Sequence, residues 1–125
     1  MLREFTLSTE RQGMTDITER VRETLRESGA QSGVCIVYCP NTTGGVTINE
    51  NADPDVARDM LFALEQTYPD RPEFHHAEGN SAAHLKASAM GSSVTIPVHE
   101  GKLHLGMWQG VYFCEFDGPR KRHFF

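Results

Sequence analysis

The densest set of side chains able to do chemistry is the run His75-His76-Ala77-Glu78-Gly79-Asn80-Ser81-Ala82-Ala83-His84-Leu85-Lys86. Imidazole nitrogens are good ligands for a borderline ion such as zinc, and catalytic zinc commonly takes three protein ligands plus water. His76 and His84 can converge if the chain folds back at Gly79. Glu78 can then act as a third ligand, or orient a ligating imidazole from behind. The plainer alternative is a surface loop that merely carries histidines, because His-x-Glu with a distant His is a weak pattern. Gly79-Asn80-Ser81 offers a second chemistry. A glycine turn feeding a helix start presents free N–H groups and the positive end of the helix dipole to an anion. Lys86, on the same short helix, can add charge to a phosphate site; the alternative is an ordinary capped helix with a solvated lysine.

Two other clusters hold polar groups in suggestive company. Glu50, Asn51 and Asp53 crowd the stretch after an apolar run. Asp53 suits a helix cap with Pro54 at the first helical position, and Asn51 suits a left-handed turn. The same side chains can wall a polar pocket, since strand ends and the turns after them often carry sites. In Gly106-Met107-Trp108-Gln109-Gly110, Trp108 reads as a core or interface residue, whereas Gln109 can aim its amide at a ligand. The chain carries no GxSxG, no P-loop and no dinucleotide fingerprint.

These groups need a scaffold, and 125 residues is the length of one ordinary domain. A chain this long can bury about two-thirds of its unfolded surface and needs no disulfide to hold a core. Its net charge of −5 argues against nucleic acid, whose phosphates require a basic face. The one basic cluster, Arg120-Lys121-Arg122-His123, reads as a solvated strand or tail. Cys35, Cys39 and Cys114 form no CxxC pair and each lies in an apolar stretch, so buried free thiols and a reducing compartment are expected. The first residues carry charges where a signal peptide needs its apolar segment, and no run approaches the roughly 20 apolar residues of a membrane span. A cytoplasmic protein with no membrane partner is the expectation.

Along the chain, Leu2 to Ser8 reads as a strand. Asp16 offers an N-cap for a helix from Ile17 to Ser28, with Ile17, Val21 and Leu25 as its buried stripe and Gly29 as its stop. Val34 to Tyr38 is apolar on both faces, the pattern of a central strand. Gly44-Gly45 permits a tight turn, which makes Val46 to Asn49 the partner strand. A helix after Asp53 buries Val56, Met60, Leu61 and Leu64, and ends near Tyr68-Pro69. Asp70 to Asn80 reads as a surface loop and Ser81 to Met90 as a short helix. Strands follow at Ser93 to Val98, Lys102 to Leu105 and Val111 to Phe116, with a hairpin turn at Glu100-Gly101.

Three ordered blocks resemble the YjbQ family. The first is Asn41-Thr-Thr-Gly-Gly-Val-Thr-Ile-Asn-Glu-Asn-Ala-Asp-Pro-Asp55, and the second is His76-Ala-Glu-Gly-Asn-Ser-Ala-Ala-His-Leu-Lys-Ala-Ser88. The third joins Gly91-Ser-Ser-Val-Thr-Ile-Pro-Val98 to Gly101-Lys-Leu-His-Leu-Gly-Met-Trp-Gln-Gly-Val-Tyr-Phe-Cys-Glu-Phe-Asp117. The resemblance runs nearly end to end. It implies a single α+β domain, with a mixed, mostly antiparallel sheet forming a sandwich or barrel-like core, about three helices, and a homotrimer. It also implies a pocket at the histidine blocks that holds a divalent metal, zinc above others. The family is also called secondary thiamine-phosphate synthase, after a weak activity joining the pyrimidine and thiazole precursors of thiamine phosphate. On that footing His76 and His84 are the candidate metal ligands, and Glu78, Lys86 and Gln109 the candidate catalytic residues. Thr43, Asn51, Asp53, Asn80 and Ser81 are the candidate ligand-binding residues.

One departure matters. The first block usually opens with His-Thr-Thr or His-Thr-Ser, where this chain has Asn41-Thr42-Thr43. An amide oxygen is a poorer ligand than an imidazole, so weakened metal affinity is expected, with Cys39 a candidate substitute. Two functions follow from these residues. One is a metal-dependent transferase of thiamine-phosphate synthase type. The other is a trimeric module that binds a small phosphorylated metabolite without turning it over.

Overall fold

A computed structural model describes residues 1–125. Eight strands and three helices follow one another as β1 (Phe5–Ser8), β2 (Gly13–Asp16), α1 (Thr18–Ser28), β3 (Ser32–Tyr38), β4 (Gly44–Glu50) and α2 (Pro54–Thr67). The order continues with α3 (Ser81–Met90), β5 (Ser93–His99), β6 (Lys102–Leu103), β7 (Gln109–Glu115) and β8 (Lys121–Phe124). Every strand pair is antiparallel, in sheets ordered β2-β7-β4, β3-β5-β6 and β1-β8. The α+β architecture with three helices is the one expected. A closed barrel does not form. Between sheets only isolated bonds run, such as the reciprocal pair Tyr38–Phe125 (2.7 and 2.9 Å) and the link from the Val46 amide to Gly91 O (3.0 Å).

The central strand is β7, and its composition explains why. Val111 and Phe113 point to one face, Tyr112 and Cys114 to the other, and all four are buried. The first pair packs with Val46, Val37, Ile96, Phe124 and the α1 residues Ile17 and Val21. The second pair packs under α3 against Ala83 and Ala87, with Met14 and the α2 residues Leu61 and Leu64 at its edge. A fully buried Phe or Val side chain stabilises by about 1.5–3 kcal/mol, so β7 anchors both layers. Among the thiols, burial pushes Cys114 up to about 12, and all three cysteines are free.

The helix ends follow local chemistry. Asp16 Oδ1 accepts from both the amide and the hydroxyl of Thr18 (2.9 and 2.5 Å), and Gly29 closes α1 with φ 69°. Asp53 Oδ1 accepts from the Asp55 amide (2.9 Å) with Pro54 at the start of α2. That helix is shallower than its apolar stripe predicts: none of its residues is fully buried, and Phe62 is exposed.

Two strand assignments change. Gly44 and Gly45 lie within β4, which pairs with β7 rather than β3. Their lack of a side chain serves close approach, not a turn. A Cβ on Gly45 would stand 2.6 Å from Gly91 O at the end of α3. The other change is β3, which is not the central strand expected but an edge strand paired with β5 alone, leaving Val34, Ile36 and Tyr38 exposed on its outer face. No helix is long and apolar enough to cross a membrane.

Candidate functional site

A cleft of about 470 Å³ opens where three connections meet, and none of its eleven lining residues is hydrophobic. The loop from β3 to β4 brings Asn41, Thr42 and Thr43. The segment entering α3 brings His76, Glu78 and Asn80, and α3 itself brings His84. The turn from β7 to β8 brings Asp117 and Arg120, and β8 itself brings Arg122. Residues far apart in sequence therefore share one small volume.

His76 and His84 do converge. Their rings meet edge to face with centroids 5.2 Å apart. The chain folds back at Gly79, whose φ of 71° is the left-handed conformation that glycine adopts without strain. Asn80 Nδ2 donates to Asp117 Oδ2 (2.9 Å), which fixes the amide's orientation and leaves Oδ1 buried with no partner. No group of three His, Cys, Asp or Glu side chains gathers at metal-binding range. The donors gathered here that fit a divalent ion are thus two imidazoles, and Asn80, whose Oδ1 has no partner, lines the same cleft. Asn41 lies beside Cys39, whose Sγ is 3.6 Å from Asn41 Oδ1. Cys39 is 1% exposed and absent from the cleft lining, so it does not stand in for the missing imidazole.

Beneath the cleft lies a buried ion pair between Arg122, from the C-terminal basic run, and Glu115, at the end of β7. Arg122 is 5% exposed and Glu115 2%. Arg122 Nε and Nη2 donate to Glu115 Oε1 and Oε2 at 2.7 and 2.5 Å, and Nη2 also donates to Thr43 Oγ1 at 2.7 Å. Glu115 takes two further bonds, from Thr9 Oγ1 (2.6 Å) and the Asp117 amide (2.9 Å). Burial pulls the Glu115 carboxyl upward, but bonds from Arg122, Thr9 and Asp117 outweigh it and hold it below its usual range. Asp117 is likewise raised by burial and lowered further by Asn80 and Arg120. Arg120 clasps Asp117 through Nη2 to Oδ2 (2.8 Å) and Nε to the backbone oxygen (2.7 Å).

Arg122 is therefore no solvated tail residue. β8 alternates, with Arg122 and Phe124 turned inward and Lys121 outward. Two signals could have found it: the inward period shared with Phe124, and a lone carboxylate, Glu115, ending an apolar strand that leaves it no water.

Other expected site residues are placed elsewhere. Lys86 is buried under α2, with Nζ 2.5 Å from Glu65 Oε2, and it ties α3 to α2 outside the cleft. Gln109 Oε1 accepts from the Gly106 amide at 2.7 Å and closes its own loop. Asn51 Nδ2 donates to Asp16 Oδ2 at 3.0 Å, joining β4 to the start of α1. Asp53 caps α2. Ser81 opens α3 beside the cleft without lining it, whereas Thr43, Glu78 and Asn80 do line it.

Comparison with known proteins agrees on fold and family. UPF0047 protein YugU of Bacillus subtilis is 54% identical over 116 residues, spanning 92% of this chain and 88% of that protein. UPF0047 protein MJ1081 of Methanocaldococcus jannaschii is 45% identical, spanning 100% of this chain and 91% of its own. A crystal structure of a YjbQ/UPF0047-family protein from Clostridium acetobutylicum superposes with a TM-score of 0.96 at 52% identity, covering 99% of this chain and 97% of that one. A YbjQ-like protein from Sulfolobus solfataricus keeps a TM-score of 0.93 at 29% identity, covering 98% and 91%. The family described as UPF0047 protein YjbQ-like matches residues 3–125, and the chain belongs to it.

Proposed function

We propose that the polar cleft binds a divalent metal through His76 and His84 and holds a small phosphorylated molecule beside it for a group-transfer reaction. The observation that supports this most is the meeting of the two imidazoles at 5.2 Å in a cleft with no hydrophobic lining. A bound ion would supply Lewis-acid charge for a departing phosphate or pyrophosphate. The chain's own residues do the rest. Arg120 and Asn41 offer donors to the ligand at the rim, and Glu78 offers a carboxylate for proton transfer at a solvent-accessible edge. Joining a pyrimidine pyrophosphate to a thiazole phosphate, the reaction the family resemblance implies, is one that such a site could support. Elemental mass spectrometry on wild type beside His84→Ala tests the reading. Near-stoichiometric zinc or another divalent ion is expected in wild type, with a loss of more than about tenfold in the variant. Metal retained by His84→Ala would sink it.

A second reading is favoured by where Lys86 and Gln109 lie. Lys86 is held by Glu65 and Gln109 by Gly106, so fewer groups in the cleft are left for catalysis. A non-catalytic module would hold its phosphorylated ligand by hydrogen bonds alone, and chelation should leave that binding unchanged.

We also infer a trimer built on the outer face of β3. Val34, Ile36 and Tyr38 are exposed there, next to Met1 and Leu2 at 76% and 81% exposure. The chain exposes 7627 Å² at a mass of 14.0 kDa, against the ~6,700 Å² expected of a monomer this size. Ile36→Lys is expected to convert the assembly to monomer, read by light scattering after size exclusion. An unchanged mass would remove β3 from the interface.

A further inference from the structure

Arg122 is bound on only one of its edges. Nε and Nη2 are engaged by Glu115 and Thr43, while Nη1 donates to nothing in the chain. Nη1 is not among the buried atoms lacking a partner, so it reaches solvent, and the residue that carries it lines the cleft. A guanidinium 5% exposed, clamped through Nε and Nη2 with Nη1 left free, is a preorganised donor in the cleft's lining. The amides of Thr42 and Thr43 add to it. Both residues line the cleft, and neither amide finds an acceptor within the chain.

We propose that Arg122 Nη1, with the Thr42 and Thr43 amides, anchors a tetrahedral oxyanion, the phosphate end of the cleft's ligand. The inference rests on the cleft being the ligand site. It replaces Lys86 and the start of α3 as the anion-holding groups. Phosphate fits better than carboxylate for a geometric reason. A planar carboxylate is best held by the bidentate Nε/Nη2 edge, and Glu115 already occupies that edge. What remains is single donors from separate directions, which suits oxygens spread about a tetrahedral centre.

Charge then links the anion to the metal. With neutral imidazoles, Arg120 and Arg122 face three carboxylates, Glu78, Asp117 and the underlying Glu115. The balance is slightly negative, so a phosphate dianion binds weakly until a cation joins it. Phosphate affinity should rise several-fold when zinc is added.

Titration of inorganic phosphate into the full chain by calorimetry, with and without zinc, tests this, together with tungstate-soaked crystals of the wild type. Tungstate density against Arg122 and the Thr42–Thr43 amides is the expected result. Arg122→Lys should keep a positive charge but bind phosphate at least tenfold more weakly, while Lys121→Ala, which removes an exposed cation outside the cleft, leaves affinity near wild type. Acetate should compete poorly. Tungstate found only elsewhere, wild-type affinity in a folded Arg122→Lys, or acetate binding as well as phosphate would overturn the proposal. If Arg122→Lys does not fold, the wild-type crystal decides alone. Phosphate held at Arg122 by a protein that takes up no metal would uphold the anchor and defeat the metal reading. Metal uptake with no oxyanion at Arg122 would do the reverse.

Discussion

Glu115→Gln is expected to lower the free energy of unfolding by about 3–5 kcal/mol, the range for breaking one half of a buried ion pair. The substitution keeps the side chain's shape, so packing around it changes little. What it removes is the counter-charge of Arg122, which is 5% exposed and has no other carboxylate bonded to it. Water reaches Nη1 but not the Nε and Nη2 side that Glu115 covers, so it does not replace the lost partner. Urea unfolding at neutral pH reads the effect directly: the midpoint should fall while the slope stays constant. A change under about 1 kcal/mol would mean that the pair is no more valuable than an exposed one. Acid supplies a second readout. Glu115 and Asp117 are both held below their usual ranges in the folded chain. A depressed carboxylate stabilises the fold above its unfolded value, near 4.5 for Glu115, and that contribution is lost as pH falls through the folded value. Wild type should therefore lose stability steadily below about pH 4.5, and Glu115→Gln should lose less over the same window.

The parts of this molecule legible in its sequence are those whose cause is local. Asp53-Pro54 and Gly29 mark helix ends because caps act within a few residues, and the three helices fall where they were expected. The Glu100-Gly101 hairpin is likewise local, with both residues at positive φ. Strand partners are not local. Val34 to Tyr38 reads as central from its apolar residues, yet in the single chain its outer face is bare. That pattern cannot say whether the cover comes from the same chain or another copy. Gly44-Gly45 misleads similarly, since a glycine needed for contact with the end of α3 looks the same as one needed for a turn.

The candidate site divides along the same line. His76, Glu78, Asn80 and His84 were visible because one segment carries them all. Thr43 is marked by the first family block, but Arg122 and Glu115 were not visible, because two separate strands bring them to it. Lys86 shows the converse. Sequence proximity to His84 suggested a shared site, but side chains two positions apart on a helix point in different directions. His84 faces the cleft and Lys86 faces Glu65.

Gly118→Ala carries the other large effect, roughly 3 kcal/mol or more of lost stability, at the upper end for overpacking because the obstacle is backbone. A Cβ on Gly118 would overlap the Glu10 carbonyl and lie 3.0 Å from Glu115 Cγ. The Gly118 amide donates to Arg11 O at 3.0 Å, so the two chain segments are bonded at the crossing and cannot part without cost. Gly13→Ala is the natural control, since a Cβ there meets nothing within 4 Å. Thermal unfolding should separate the two variants clearly, and a Gly118→Ala protein as stable as Gly13→Ala would show that the crossing yields easily. The consequence reaches the cleft. Gly118 sits between Asp117, which holds Asn80, and Arg120, which clasps Asp117. Displacing that turn moves one wall of the cavity and strains the Glu115 contacts beneath it. Phosphate affinity should therefore fall in whatever fraction of Gly118→Ala remains folded, even though the substitution touches no group that binds the ligand.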